Sequence, residues 1–114
     1  MNTNDRVRLQ HMLEAAQMAV NLIQGETRAS LDHDYKLHLA LTKAVEIIGE
    51  AAAKITAETR TNYPYVSWSG IIGMRNILIH AYFNIDFDKL WDTARLDLPP
   101  LIRQLEKILT SQTD

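Results

Sequence analysis

The residues best suited to chemistry stand close together in the run Arg75-Asn-Ile-Leu-Ile-His80-Ala-Tyr82. Arginine carries a permanent charge on a planar fork that can grip two phosphate oxygens at once. Histidine has the one side chain whose ordinary pKa lies near neutrality, so it can take or give a proton at working pH. On a helix, Asn76 and His80 are i and i+4, close enough for the amide to orient the imidazole and fix its tautomer. Arg75 and His80 are five positions apart, which on an ideal helix is about 140° around and about 7.5 Å along, so the two flank a groove in which both could reach one phosphate. Tyr82 falls back near the Arg75 side. Spacing alone leaves a second reading open, a solvated arginine and a structural histidine.

These side chains need a scaffold, and the apolar periodicity supplies helices. Leu9, Met12, Leu13, Ala16, Val20 and Ile23 recur at three- and four-residue steps, so one helix runs from Asp5 to a stop at Gly25. A second stripe, from Leu37 through Leu41, Ala44, Val45 and Ile48 to Ile55, predicts a long helix. It starts between Ser30 and Asp34, ends near Thr59, and carries Gly49 at a close helix crossing. Pro64 breaks the pattern within Thr61-Asn-Tyr-Pro-Tyr65. A third helix starts near Ser67 to Ser69 and runs to about Tyr82, Asp86 caps a short fourth, and Pro99 and Pro100 sit in the first turn of a fifth. The expectation is an all-α, antiparallel bundle of four to five helices, a single domain over residues 1–114.

The third helix differs from the others. With Ile71 at zero, Met74, Ile77, Leu78 and Ala81 form its expected core stripe, between about 240° and 340° around the axis. The opposite face sets Ile72 and Ile79 among Arg75, Asn76 and His80, an apolar pair on a surface that something should cover. The expected cover is a second copy across a two-fold axis, with Ile72 and Ile79 in the dimer interface and two Arg75/His80 pairs round one cleft.

Composition narrows the function classes. With no cysteine in 114 residues, disulfides and thiolate metal sites are excluded, and a reducing cytoplasm is the expected setting. A net charge of −2 exerts no global pull on a polyanion. Nucleic acid therefore needs a local patch, which Lys54, Arg60, Arg95 and Arg103 supply only if the fold gathers them beside Arg75. The first twenty residues alternate charged and apolar types, unlike a signal peptide, and no apolar run nears the roughly 20 residues of a membrane span. His33 and His38 are five apart rather than the i and i+4 of a zinc pair and read as surface or capping residues; Asp86 and Asp88 read as an N-cap and a first-turn charge. No metal or cofactor is expected. Tyr63 and Tyr65 either stack on bases or pack under their own loop, and Trp68 and Trp91 belong to the core.

The run Arg75-x-x-x-x-His80-x-Tyr82 resembles the signature of HEPN-domain ribonuclease toxins. Trp68, Gly73-Met74, Phe83-Asn-Ile-Asp86 and Leu98-Pro99 around it are similar to the HepT subfamily specifically, and the likeness covers most of the chain with no departure at the motif. The resemblance implies a HEPN-type bundle and the toxin of a type VII toxin–antitoxin pair: a metal-independent endoribonuclease, with Arg75 and His80 at a homodimer interface. It also implies that a cognate minimal nucleotidyltransferase antitoxin silences the toxin by adenylylating Tyr82. RNA brings its own nucleophile in the 2′-hydroxyl, so His80, with Asn76 beside it, would move protons while Arg75 met the charge growing on phosphorus, leaving a 2′,3′-cyclic phosphate. The alternatives are a non-catalytic helical module that binds a nucleotide or a protein, and a purely structural subunit of a nucleotidyltransferase complex.

Overall fold

The computed structural model describes residues 1–79 and 85–111, with residues 75–79 described by their backbone alone, and every regular element among them is a helix. Helix α1 (Thr3–Leu22) opens at Asn2, whose side-chain oxygen accepts the Asp5 N–H at 2.7 Å, and the chain leaves it through Gly25 at φ +75°. A single turn, α2 (Ser30–His33), precedes α3 (Tyr35–Ala53), which Asp34 caps by accepting the Leu37 N–H at 3.1 Å. Then follow α4 (Ala57–Asn62), α5 (Trp68–Ile79), α6 (Phe87–Asp92) and α7 (Leu98–Ser111). Asp86 caps α6 as its sequence position predicts, taking the Lys89 N–H at 3.1 Å.

Two elements depart from the sequence reading. The helix expected to reach Thr59 stops at Ala53, because side chains satisfy both ends of a break there. Arg60 donates to the carbonyls of Ile55 and Ala53 at 3.0 and 3.2 Å, and Thr56 caps α4. The buried Asp5 carboxylate accepts the Thr56 N–H and the hydroxyls of Thr56 and Thr59, at 3.2, 2.6 and 2.6 Å. The second departure is that α6 runs into α7 without interruption, through a π turn over Thr93–Asp97 in which the Leu98 N–H reaches the Thr93 carbonyl. Pro99 and Pro100 do lie in the first turn of α7 and bring no N–H; the wider turn lets the helix pass into this proline pair.

Packing places the helices in the order α7, α1, α3, α5, with α1 against both α7 and α3, and α3 against both α1 and α5. Leu9, Met12, Leu41, Ile48, Leu105 and Ile108 are closed to solvent at the centre, each worth about 1.5–3 kcal/mol of burial. Gly49 is buried on α3, the helix shared by two neighbours. Helix α5 lies at the edge, and α3 is the element its described residues pack along. Among the described residues, no helix is long and apolar enough to cross a membrane.

Candidate active site

The start of α5 is fixed by Trp68. Its indole N–H donates to the Tyr63 carbonyl at 3.0 Å, and its ring is 8% exposed, which anchors the turn that Pro64 imposes to the first turn of the helix. Ile71, three residues on, is 4% exposed, whereas Ser69 and Gly70 are exposed and Ile72, Gly73 and Met74 half-buried. The buried arc therefore spans Trp68 and Ile71, from about 0° to about 60° around the axis. Met74, the described member of the expected stripe, packs partly against the core and also borders an open groove. Ile72, assigned by spacing to the outer face, packs partly against the core.

Of the sequence-predicted site residues, Ile72 is described in full, and Arg75, Asn76 and Ile79 by the backbone of the last turn of α5. His80 and Tyr82 lie outside the described residues.

Two grooves flank α5. One, of about 510 Å³, is bordered by Tyr65, Gly70, Met74, Lys89, Leu101 and Gln104; the other, of about 680 Å³, by Arg60, Pro64, Trp68 and Ile72. The cations are distributed differently from the patch considered in the sequence. Lys54 joins Arg8 and His11 in a groove between α1 and α3, Arg60 is engaged with carbonyls, and Arg95 and Arg103 are exposed on the π turn and α7. Tyr63 and Tyr65 contact edge to face at 6.3 Å, with Tyr63 partly packed on the core and Tyr65 about half exposed, its ring 5.9 Å from the Lys107 ammonium. Trp91 is half-buried on the core, as its assignment required.

A polar cluster closes the end of the bundle where α6 begins. Arg28 reaches Asp32 at 3.1 Å and Asp88 at 2.5 Å, and its guanidinium carbon lies 5.7 Å from the centre of the Phe87 ring. The hydrogen bond that Arg28 donates to Asp88, more than the one to Asp32, pushes its pKa further up. The Phe87 ring also lies 4.8 Å from that of His38, whose Nδ1 is 3.2 Å from the Leu31 carbonyl. His38 is thus held as a structural side chain, and His33 is exposed in α2. Among the described residues, no three His, Asp or Glu side chains stand together as a metal site. Sequence reasoning missed Arg28: its i and i+4 spacing to Asp32 is visible, but its pairing with Asp88 spans 60 positions.

Comparison with known proteins adds a lineage to this geometry. Residues 12–108 match a family described as Ribonuclease HepT-like. A Thermococcus cleftensis protein named as a ribonuclease HepT is 37% identical over 100 residues, covering 84% of this chain and 91% of its own length. Proteins named as RNases from Caldanaerobacter subterraneus subsp. tengcongensis and Methanocaldococcus jannaschii are 32% and 31% identical, covering 91% and 89% of this chain and 93% and 84% of their own. No solved structure matches the chain.

Proposed function

Because the chain belongs to the HepT-like ribonuclease family, we propose that it is an endoribonuclease working without a metal ion, the toxin of a type VII toxin–antitoxin pair. The observation that carries this reading is that the family match, over residues 12–108, takes in the whole run from Arg75 to Tyr82. His80, oriented by Asn76, takes the proton of a ribose 2′-hydroxyl as that oxygen attacks phosphorus. The imidazolium returns a proton to the 5′-oxygen as the P–O5′ bond breaks, while Arg75 holds two of the phosphate oxygens on which charge accumulates. The products are a 2′,3′-cyclic phosphate and a 5′-hydroxyl.

The working unit in this reading is a homodimer joined through α5, with Ile72 and Ile79 in the interface. Support comes from the edge position of α5, packed along α3 with a groove on either side, and from Tyr35 and Leu39, 64% and 56% exposed at the start of α3. A cognate nucleotidyltransferase antitoxin then silences the enzyme by joining AMP to Tyr82. The adduct sets a new anion near Arg75 and fills the space of the substrate phosphate.

Expression of the chain alone in bacteria tests the biological half of the proposal. Growth arrest that disappears with Arg75→Ala, and that the neighbouring nucleotidyltransferase relieves, is the expected result. Normal growth with soluble chain accumulating contradicts it.

A further inference from the structure

A net charge of −2 gives the whole chain no pull on a polyanion, so attraction for RNA has to be local. The groove between α1 and α3, about 330 Å³, brings Arg8 and His11 of α1 together with Lys54, the residue that closes α3. Among the described residues, the side chains of Arg8 and Lys54 have no hydrogen bond or ion pair, and Arg8 acts on the Asp5 carboxylate through its charge alone. Glu50 is the acid in the lining, half-buried and bonded to neither cation. Two cations without a bonded acid favour an anion seated between them. His11, exposed beside them, adds a ring N–H. The charge continues along α3, where Lys36, Lys43 and Lys54 are all exposed. Their spacing sets them within about 20° of one line about 27 Å long. Ile47, on the same line, borders the groove, and the 3.8 Å pair of Lys43 with Glu46 is a surface contact worth little.

We infer that the α1/α3 groove is a binding site for the RNA backbone: Arg8 and Lys54 hold phosphates within it, and Lys43 and Lys36 continue the track along α3. The inference rests on RNA as the substrate and on no assignment of the groups that cut. A lone phosphate would be met by the groove by itself, whereas cations spread over about 27 Å of helix match a chain of phosphates. The site also stays open in the proposed dimer, because α1 and α5 pack on α3 from different sides and the groove lies on the α1 side. Contacts of this kind position a strand without reading its bases.

The test is fluorescence anisotropy of a labelled 2′-O-methyl oligoribonucleotide, which lacks the 2′-hydroxyl nucleophile and stays intact, titrated with the full chain across a range of salt. Cleavage of ordinary RNA by wild type and melting of every variant are followed alongside. Arg8→Gln/Lys54→Gln is expected to weaken binding about ten- to thirtyfold near 0.1 M salt and to lower the salt slope by about 1.4, the share of two single-strand phosphates. Lys54→Gln alone, which leaves Arg8 beside Asp5, gives about half of that slope change and keeps the test valid if the double variant melts early. Lys36→Gln/Lys43→Gln falls between wild type and the groove variant. Glu50→Gln, which removes the acid of the groove, tightens binding by up to about fivefold. Arg95→Gln/Arg103→Gln removes the same charge from the π turn and α7 and stays within about twofold of wild type. Equal weakening in that control, or wild-type binding by Lys54→Gln or by Lys36→Gln/Lys43→Gln, overturns the inference while wild-type chain still cuts RNA. So does a wild-type chain that cuts RNA without binding the analogue. A wild-type chain that neither binds nor cuts removes the ribonuclease reading, and the inference with it.

Discussion

The carboxylate of Asp5 accepts a 2.6 Å hydrogen bond from the hydroxyl of Thr59, 54 positions further along the chain, with Asp5 only 1% exposed. Burial is the largest single influence on this carboxyl and acts to raise its pKa. The hydrogen bonds from Thr56 and Thr59, helped by the charge of Arg8, together outweigh it and hold the value below the ordinary 3.8. Folding thus favours the charged form, so the stabilisation is fully present above about pH 3.8 and is lost as pH falls through the lower folded value. Asp5→Ala leaves the donors of Thr56 and Thr59 without their acceptor and should cost about 1–3 kcal/mol in chemical denaturation near neutrality. The gap between wild type and variant should narrow as pH drops below 3.8; a constant gap down to strong acid would show that the carboxylate charge is irrelevant.

Ile72→Glu and Ile79→Glu test the proposed dimer. A carboxylate placed in an apolar interface has no partner there and loses its water, so both variants should run as monomers in light scattering, remain helical, and lose RNA cleavage. A wild-type chain that is monomeric at the same concentration contradicts the interface.

Arg75→Lys keeps the charge and loses the fork. If Arg75 holds two phosphate oxygens as charge builds on them, kcat should drop by about a hundred- to a thousandfold while RNA binding persists. Cleavage within a few fold of wild type would make Arg75 a simple cation.

Tyr82→Phe keeps the ring and removes the attachment point for AMP. Cells should then stay arrested even with the neighbouring nucleotidyltransferase present, whereas wild-type chain gains one or more AMP masses on intact-protein mass spectrometry. Neutralisation of Tyr82→Phe, or an added mass mapping to Tyr63 or Tyr65, assigns inhibition elsewhere.

Much of the fold is legible because its signals are local. Asp34, Asp86, Gly25 and the proline pair mark their helix ends by residue type alone. The break after Ala53 is not legible, since Ala52 and Ile55 continue the apolar stripe through it and the groups that satisfy it, Asp5 and Arg60, belong to other helices. The phase of α5 is obscured for another reason. Ile71, Ile72, Met74, Ile77, Leu78 and Ile79 surround the axis, so periodicity has no clear polar face to read, and the bond from Trp68 to Tyr63 decides the rotation. The motif itself is visible as residue types at fixed spacing, whereas the hold of Arg28 on the start of α6 exists only once the chain has folded.

The most direct measurement is the chemistry of the RNA ends left by purified chain in EDTA. The account predicts cleavage that persists without divalent metal, leaves 2′,3′-cyclic phosphate and 5′-hydroxyl ends, and disappears with His80→Ala. Intact RNA at micromolar protein, strict metal dependence, or the same ends from His80→Ala would contradict it.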